Sequence, residues 1–162
     1  MSAHSRLDPK FQIEQEDPAH PDSIWCLEQY FAEIDQRFAT GFDRTRGRAP
    51  GDGGFSPPTG AFVIARASGE AVGCGGVAYR DGGFAEIKRM WVCETVRGQG
   101  LGYKLLLDLE VIASRAGFSV VRLDSNNTLT EAHRLYRRCG YSDVAPYNDN
   151  PYAELWFEKI LT

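Results

Sequence analysis

The stretch Arg97-Gly98-Gln99-Gly100-Leu101-Gly102-Tyr103 decides the reading, and its flanks say why. Before it, Glu86-Ile87-Lys88-Arg89-Met90-Trp91-Val92 belongs to a strand-like run, Phe84 to Cys93. After it, Leu101, Leu105, Leu109, Ile112 and Ala116 mark one face of an amphipathic helix from about Gly100 to Gly117. A glycine-rich turn from strand to helix presents unpaired N–H groups and the positive end of a helix dipole, which together favour an anion. Glycine at 98, 100 and 102 keeps side chains away from ligand oxygens, and Arg97 adds a full charge. Two other phosphate loops fail: a dinucleotide fingerprint needs glycine where Tyr103 stands, and Lys104 lies between Tyr103 and Leu105 rather than in the Gly-Lys-Ser/Thr of a P-loop. A glycine-rich helix start with no ligand is the plain alternative.

Outward from this turn, short runs alternate with turn residues. Upstream, Ala61 to Ala67, Ala71 to Arg80 and Phe84 to Cys93 are separated by Ser68-Gly69-Glu70 and Asp81-Gly82-Gly83, which makes an antiparallel meander. Before them a helix is expected from Ser23, read as its N-cap, to near Gly41, with Ile24, Leu27, Tyr30, Phe31, Ile34 and Phe38 at three- and four-residue steps. Phe11 and Ile13 suggest an edge strand after a loose start over residues 1–22. Downstream, Val120 to Asp124 reads as a buried strand, Thr130 to Cys139 as a helix stopped by Gly140, and Glu154 to Ile160 as a last strand. Strand, helix and strand in that order imply a parallel crossover after the meander.

The chain has 162 residues, 43% of them hydrophobic and 25% charged, which suits one domain over 1–162 with a single core. A net charge of -4 offers no global field for nucleic acid or anionic lipid. No run approaches the ~18 apolar residues of a membrane span, and MSAHSRLDPK lacks a signal-peptide core. A soluble cytoplasmic protein is expected. The four cysteines (Cys26, Cys74, Cys93, Cys139) then read as reduced thiols, and His4, His20 and His133 show no metal-ligand spacing, so no metal is expected.

The chain resembles the GNAT superfamily of acyl-CoA-dependent N-acyltransferases, whose signature is Arg or Gln, two residues, Gly, one residue, Gly or Ala. Arg97, Gly100 and Gly102 fill it. The strand Glu86 to Val92 and the segment Leu135-Tyr136-Arg137-Arg138-Cys139-Gly140-Tyr141 extend the likeness over roughly residues 23 to 160. The resemblance implies an α/β (α+β) fold with a mixed central sheet of six to seven strands, an antiparallel meander, splayed fourth and fifth strands, and flanking helices. It implies acetyl-CoA as co-substrate, with the pyrophosphate on Arg97, Gly98, Gln99, Gly100, Leu101, Gly102 and Tyr103. The pantetheine arm would run along Met90, Trp91 and Val92 like an added strand. Dimers are common in the superfamily, which leaves a homodimer open.

Acyl transfer to an amine needs a neutral nitrogen, and an amine with pKa ~10.4 is about one part in two thousand neutral at pH 7, so a base is valuable. Glu86 is the candidate base, at the position where histone-type members of the superfamily carry theirs; the alternative is a carboxylate paired with Lys88 or with an arginine across the sheet. Tyr136 matches the tyrosine that relatives place near the CoA sulfur and is the candidate general acid; it could equally be a packed, anchored phenol. His133 reads as a surface residue. Where many relatives carry Asn, seven residues before this tyrosine, Leu129 stands here, and Asn126 and Asn127 are possible substitutes that stay open. Trp25 and Trp156 read as core.

The 43–60 loop with Arg44, Arg46 and Arg48, together with Pro146 to Tyr152, would frame the acceptor. A guanidinium there could clamp a carboxylate, or the loop could be a solvated basic turn. The leading expectation is an N-acetyltransferase acting on a small-molecule amine such as an amino acid. A peptide or protein amine, and an acyl-CoA-binding sensor without efficient chemistry, are the alternatives.

Overall fold

A computed structural model describes residues 10–43 and 54–162. One mixed sheet carries seven strands: β1 (Gln12–Gln15), β2 (Gly60–Ala67), β3 (Glu70–Arg80), β4 (Phe84–Val92), β5 (Val120–Ser125), β6 (Ser142–Asp143) and β7 (Leu155–Ile160). Three helices flank it, α1 (Pro21–Arg37), α2 (Leu101–Arg115) and α3 (Thr130–Arg138). The spatial order is β1-β2-β3-β4-β5-β7-β6. Every neighbouring pair is antiparallel except β4 and β5, which the crossover through α2 makes parallel.

The meander appears where the turn residues put it. The start of α1 does not. Pro21 takes the first helical position, where its missing N–H costs nothing, and the cap is His20, whose Nδ1 accepts from the Asp22 amide at 3.0 Å. Ser23, expected as the cap, is instead buried and donates to the Asp17 carbonyl at 2.7 Å. The helix ends at Arg37 rather than near Gly41, because Phe38 turns to extended backbone and buries its ring. The two-residue strand β6 had no pattern to announce it.

Two apolar layers sandwich the sheet. On one face, Leu101, Leu105, Leu106, Leu109 and Ala113 of α2 pack with Val63, Val77, Ile87, Val121 and Phe157. Burial of each such leucine stabilises the fold by about 1.5–3 kcal/mol. On the other face, Cys26 of α1 packs with Phe55, Phe62, Ile64, Cys74 and Trp91. Trp25 does not join the core: it is 46% exposed, with its ring edge-on to Trp91 at 5.6 Å.

The feature that makes a site is in β4. Its pairing with β3 loses register between Cys74 and Gly76, and Arg89, opposite this break, has φ of 61°. The extra residue reverses the side-chain alternation. Ala85 and Ile87 face the α2 layer, whereas beyond the bulge Trp91 lies in the α1 layer and Met90 and Val92 pack against the α2 layer. The bulge also bends β4 away from β5. The two strands pair only at Ala85–Val121 and Glu86–Arg122, while β5 stays paired with β7 from Val120 to Ser125. The fourth and fifth strands therefore splay.

Candidate active site

The splay opens a cleft of about 390 Å³ between α1, the free edge of β4, and α3. At one end stands the turn into α2. Gly98 and Gly100 have φ of 80° and 81°, a left-handed conformation that side-chain-bearing residues adopt only at a cost. Among the described residues no carbonyl or side chain accepts from the amides of Gly98 to Tyr103. These unfilled donors at a helix N-terminus form an anion cradle. Gly102 has no left-handed backbone, and a Cβ there would meet Leu135 at 3.4 Å, an ordinary contact.

Arg97, Gly98, Gly100, Leu101, Gly102, Met90, Trp91 and Val92 all line the cleft; Gln99 and Tyr103 do not, and both are exposed. Arg97 is less free than a lone charge. Its Nε donates to the Val92 carbonyl at 2.9 Å and its guanidinium bridges to Glu33 of α1. Glu33 also meets Arg37 at 3.5 Å, and Arg37 in turn binds Glu131 of α3 and donates to the Thr128 carbonyl. That chain of charges ties α1 to the turn before α2 and to α3, and the Arg37 guanidinium holds Glu131 down at about 2.

Tyr136 of α3 faces the cleft, 9% exposed. Burial raises its phenol above the ordinary range, with the charge of Asp124 adding to the effect. Tyr30 of α1 lines the same cleft, and burial raises it likewise. Both phenols remain protonated donors. Asp124, near the end of β5, is a carboxylate that acts on both, while Glu33 and Glu131 line the cleft as well. Asn148 Nδ2 donates to Asp124 Oδ2 at 2.7 Å and Asn150 Nδ2 to its Oδ1 at 3.2 Å. Burial raises its pKa and the charge of Glu86 adds to this, against Lys88 and the two amides, which lower it.

Glu86 stands outside the lining. It lies at the last position where β4 pairs with β5, 4% exposed, with Oε1 accepting from Arg80 Nε at 2.8 Å. Its Oε2 accepts from the Tyr147 hydroxyl at 2.6 Å and from Asn148 Nδ2 at 3.2 Å. The arginine across the sheet, the alternative to catalysis, is therefore present. Asn148 shares its amide between Glu86 and Asp124, and its Oδ1 accepts from Trp156 at 3.0 Å. Trp156 is thus half-buried as part of this polar network rather than in the core.

The surface reading of His133 is corrected. His133 is buried, 5% exposed, with Nε2 at 2.9 Å from Ser125 Oγ, and burial lowers its pKa. The residue lies one turn before Tyr136, where α3 meets the sheet, and so packs beside Phe157. Asn126 does not line the cleft: its Nδ2 donates to the Tyr152 carbonyl and its Oδ1 accepts from Thr128. Asn127 is exposed, and Leu129 itself lines the cleft. Arg44, Arg46 and Arg48 lie outside the described residues.

Sequence reasoning missed Asp124, Tyr30 and Arg89. Asp124 had a signal, a carboxylate closing the strand-like run Val120-Val121-Arg122-Leu123. Tyr30 looked like any apolar-face residue of a helix, and Arg89 like any charged residue of a strand. Among the described residues no cluster of His, Cys, Asp and Glu could hold a metal, and no helix is long and apolar enough to cross a membrane.

Known proteins share this fold. Over 104 residues the chain is 39% identical to an IAA acetyltransferase of Azospirillum brasilense, covering 62% of this chain and 67% of that protein. A solved structure from Klebsiella pneumoniae, 29% identical, superposes with a TM-score of 0.75 over 94% of this chain and 98% of its own. A GNAT family acetyltransferase from Elizabethkingia anophelis, solved with acetyl-CoA bound, is 17% identical and shares the fold at a TM-score of 0.66, over 94% and 99% of the two chains. Residues 11–141 match the acetyltransferase (GNAT) family, and the chain belongs to that family.

Proposed function

We propose that this acetyltransferase moves the acetyl group of acetyl-CoA to the primary amine of a small molecule. The observation that carries the reading is the continuity of one cleft from the unfilled amides at Gly98 to Gly102, along Met90, Trp91 and Val92, to Tyr136 and Asp124. Amides suit the pyrophosphate, the unpaired edge of β4 suits the amide-bearing pantetheine arm, and the far end holds the acid–base groups. A GNAT family acetyltransferase of the same fold, from Elizabethkingia anophelis, binds acetyl-CoA, which supports acetyl-CoA as the donor.

In the reaction the amine nitrogen attacks the thioester carbonyl carbon, the N–C bond forms and the C–S bond breaks. Asp124 takes the proton from nitrogen, directly or through one water. Its raised pKa brings it closer to working pH than an ordinary carboxylate, which makes it a better base. Glu86 supports it from behind, holding Arg80, Tyr147 and the shared Asn148 amide, and so is a positioning residue. Tyr136 hydrogen-bonds the departing sulfur. Its phenol is raised well above a thiol pKa of about 8.5, so it stabilises the thiolate by donation without surrendering its proton, and solvent completes protonation.

The test is thiol release from acetyl-CoA with panels of small amines and of peptides. Turnover with small amines is expected. Activity confined to peptides, or saturable CoA binding with no thiol released by any amine, would overturn the reading in favour of a protein-directed enzyme or a sensor.

A further inference from the structure

We infer a second activity for the cleft: hydrolysis of acetyl-CoA when no amine is present, through an acetyl ester on Ser125 with His133 as the base. It needs acetyl-CoA in the cleft but no amine acceptor, and so goes beyond the amine reading. Ser125 ends β5 and lines the cleft, and His133 of α3 holds Nε2 at 2.9 Å from its Oγ. A hydroxyl within hydrogen-bond reach of an imidazole is the arrangement that activates a serine nucleophile.

The strand explains where the pair stands. Side chains alternate along β5, so Ser125 follows Val121 and Leu123 onto the face packed by α2, and Asp124 takes the opposite face. Tyr136 belongs to the same layer as Val121 and Leu123. The serine and histidine therefore share a side with the phenol assigned to the departing sulfur. Beyond Glu86–Arg122, β4 no longer covers β5, and this leaves Ser125 on the wall of the cleft.

Stability does not account for the pair. Ser125 is 7% exposed and His133 5%, in a largely apolar layer, where two apolar side chains of the same shape would cost little or nothing. The ring packs on Phe157 with centroids 5.8 Å apart. Burial lowers its pKa, helped by Arg137 and opposed by the Asn126 backbone, Glu131 and Asp143. The ring is thus mainly neutral near neutral pH, the state in which it takes up a proton.

In the first step Ser125 Oγ attacks the thioester carbonyl carbon. The O–C bond forms, the C–S bond breaks, and the proton passes from Oγ to His133 Nε2 and on to the leaving thiolate. In the second step water attacks the ester carbonyl and gives a proton to His133. The bond from the acetyl carbon to Oγ breaks, the ring returns the proton to Oγ, and acetic acid leaves.

The experiment follows thiol release from acetyl-CoA with no amine added. The wild type is expected to release thiol and acetate in equal amounts, and Ser125→Ala and His133→Gln should be slower by about 100-fold or more. A second measurement needs neither a variant nor turnover: methanesulfonyl fluoride, which forms a stable ester with an activated serine, should label Ser125 of the wild type, as located by peptide mass spectrometry, and saturating CoA should block the label. Release no faster than in buffer, release unchanged in Ser125→Ala, or absence of the label from Ser125 overturns the inference while leaving amine acetylation standing. The opposite pattern, hydrolysis that depends on Ser125 with no amine acetylated, overturns the amine reading and leaves this one standing.

Discussion

The two ends of the cleft are built differently. The glycine end is backbone: consecutive amides from Gly98 to Gly102 at the start of α2, shaped by two left-handed glycines and supported by one arginine. The far end is side chain: Tyr30 from α1, Arg89 from β4, Asp124 from β5, Tyr136 from α3, with Asn148 and Asn150 from the loop before β7. A backbone cradle recognises a phosphate that every reaction of the kind shares, so it tolerates exchange of its side chains. A side-chain site is rewritten by single substitutions. Substitutions at the two ends should therefore fail in different kinetic constants.

The largest expected effect separates the two carboxylates at the far end. Asp124→Asn should lower kcat about 100-fold or more, the usual worth of a positioned base, and remove the acid limb of the pH profile. For the wild type that limb marks loss of activity as pH falls through the raised pKa of Asp124, so it should lie at higher pH than an ordinary carboxylate near ~3.9 gives. Glu86→Gln should keep the acid limb and lose less kcat, but lower Tm, because it removes the charge from a largely buried ion pair with Arg80. If Glu86→Gln erased the limb and Asp124→Asn kept it, the assignment of the two residues would reverse.

Tyr136→Phe comes next, with kcat expected to fall about 10-fold to 30-fold, the worth of one hydrogen bond to a charged sulfur. A steep dependence of that deficit on the thiol pKa of alternative acyl thioesters would confirm that the phenol serves the leaving group. At the glycine end, Gly100→Val forces a β-branched residue into φ of 81°. It should raise KM for acetyl-CoA about 10-fold while the acceptor KM stays put; equal rises in both constants would erase the distinction between the ends.

The smallest effects concern the charge shared by Arg97 and Glu33. Arg97→Ala should raise KM for acetyl-CoA only about 3-fold, since Glu33 already claims part of that guanidinium. Glu33→Gln should lower it by a similar factor, as the released arginine turns to the phosphate, and added salt should shrink both effects.

The sequence by itself determined the meander, the crossover and the glycine end. Each is a local matter: turn residues at fixed spacing, a helical period after a strand, and glycines where left-handed backbone exposes amides. Tyr136 was legible for the same reason, one helix position within a contiguous motif. Only the tertiary structure decided the far end. The bulge at Arg89 is a property of the pairing between β3 and β4, invisible along either strand alone, and it turns Trp91 and Arg89 to the α1 face. Whether Glu86 or Asp124 looks into the cleft depends on where β4 and β5 stop pairing, at Glu86–Arg122, since the carboxylate before that point is enclosed and the one beyond it is uncovered. Polar side chains from residues 30, 89, 124 and 148 come together only because the sheet order places their elements side by side, and no spacing in the chain encodes that distance.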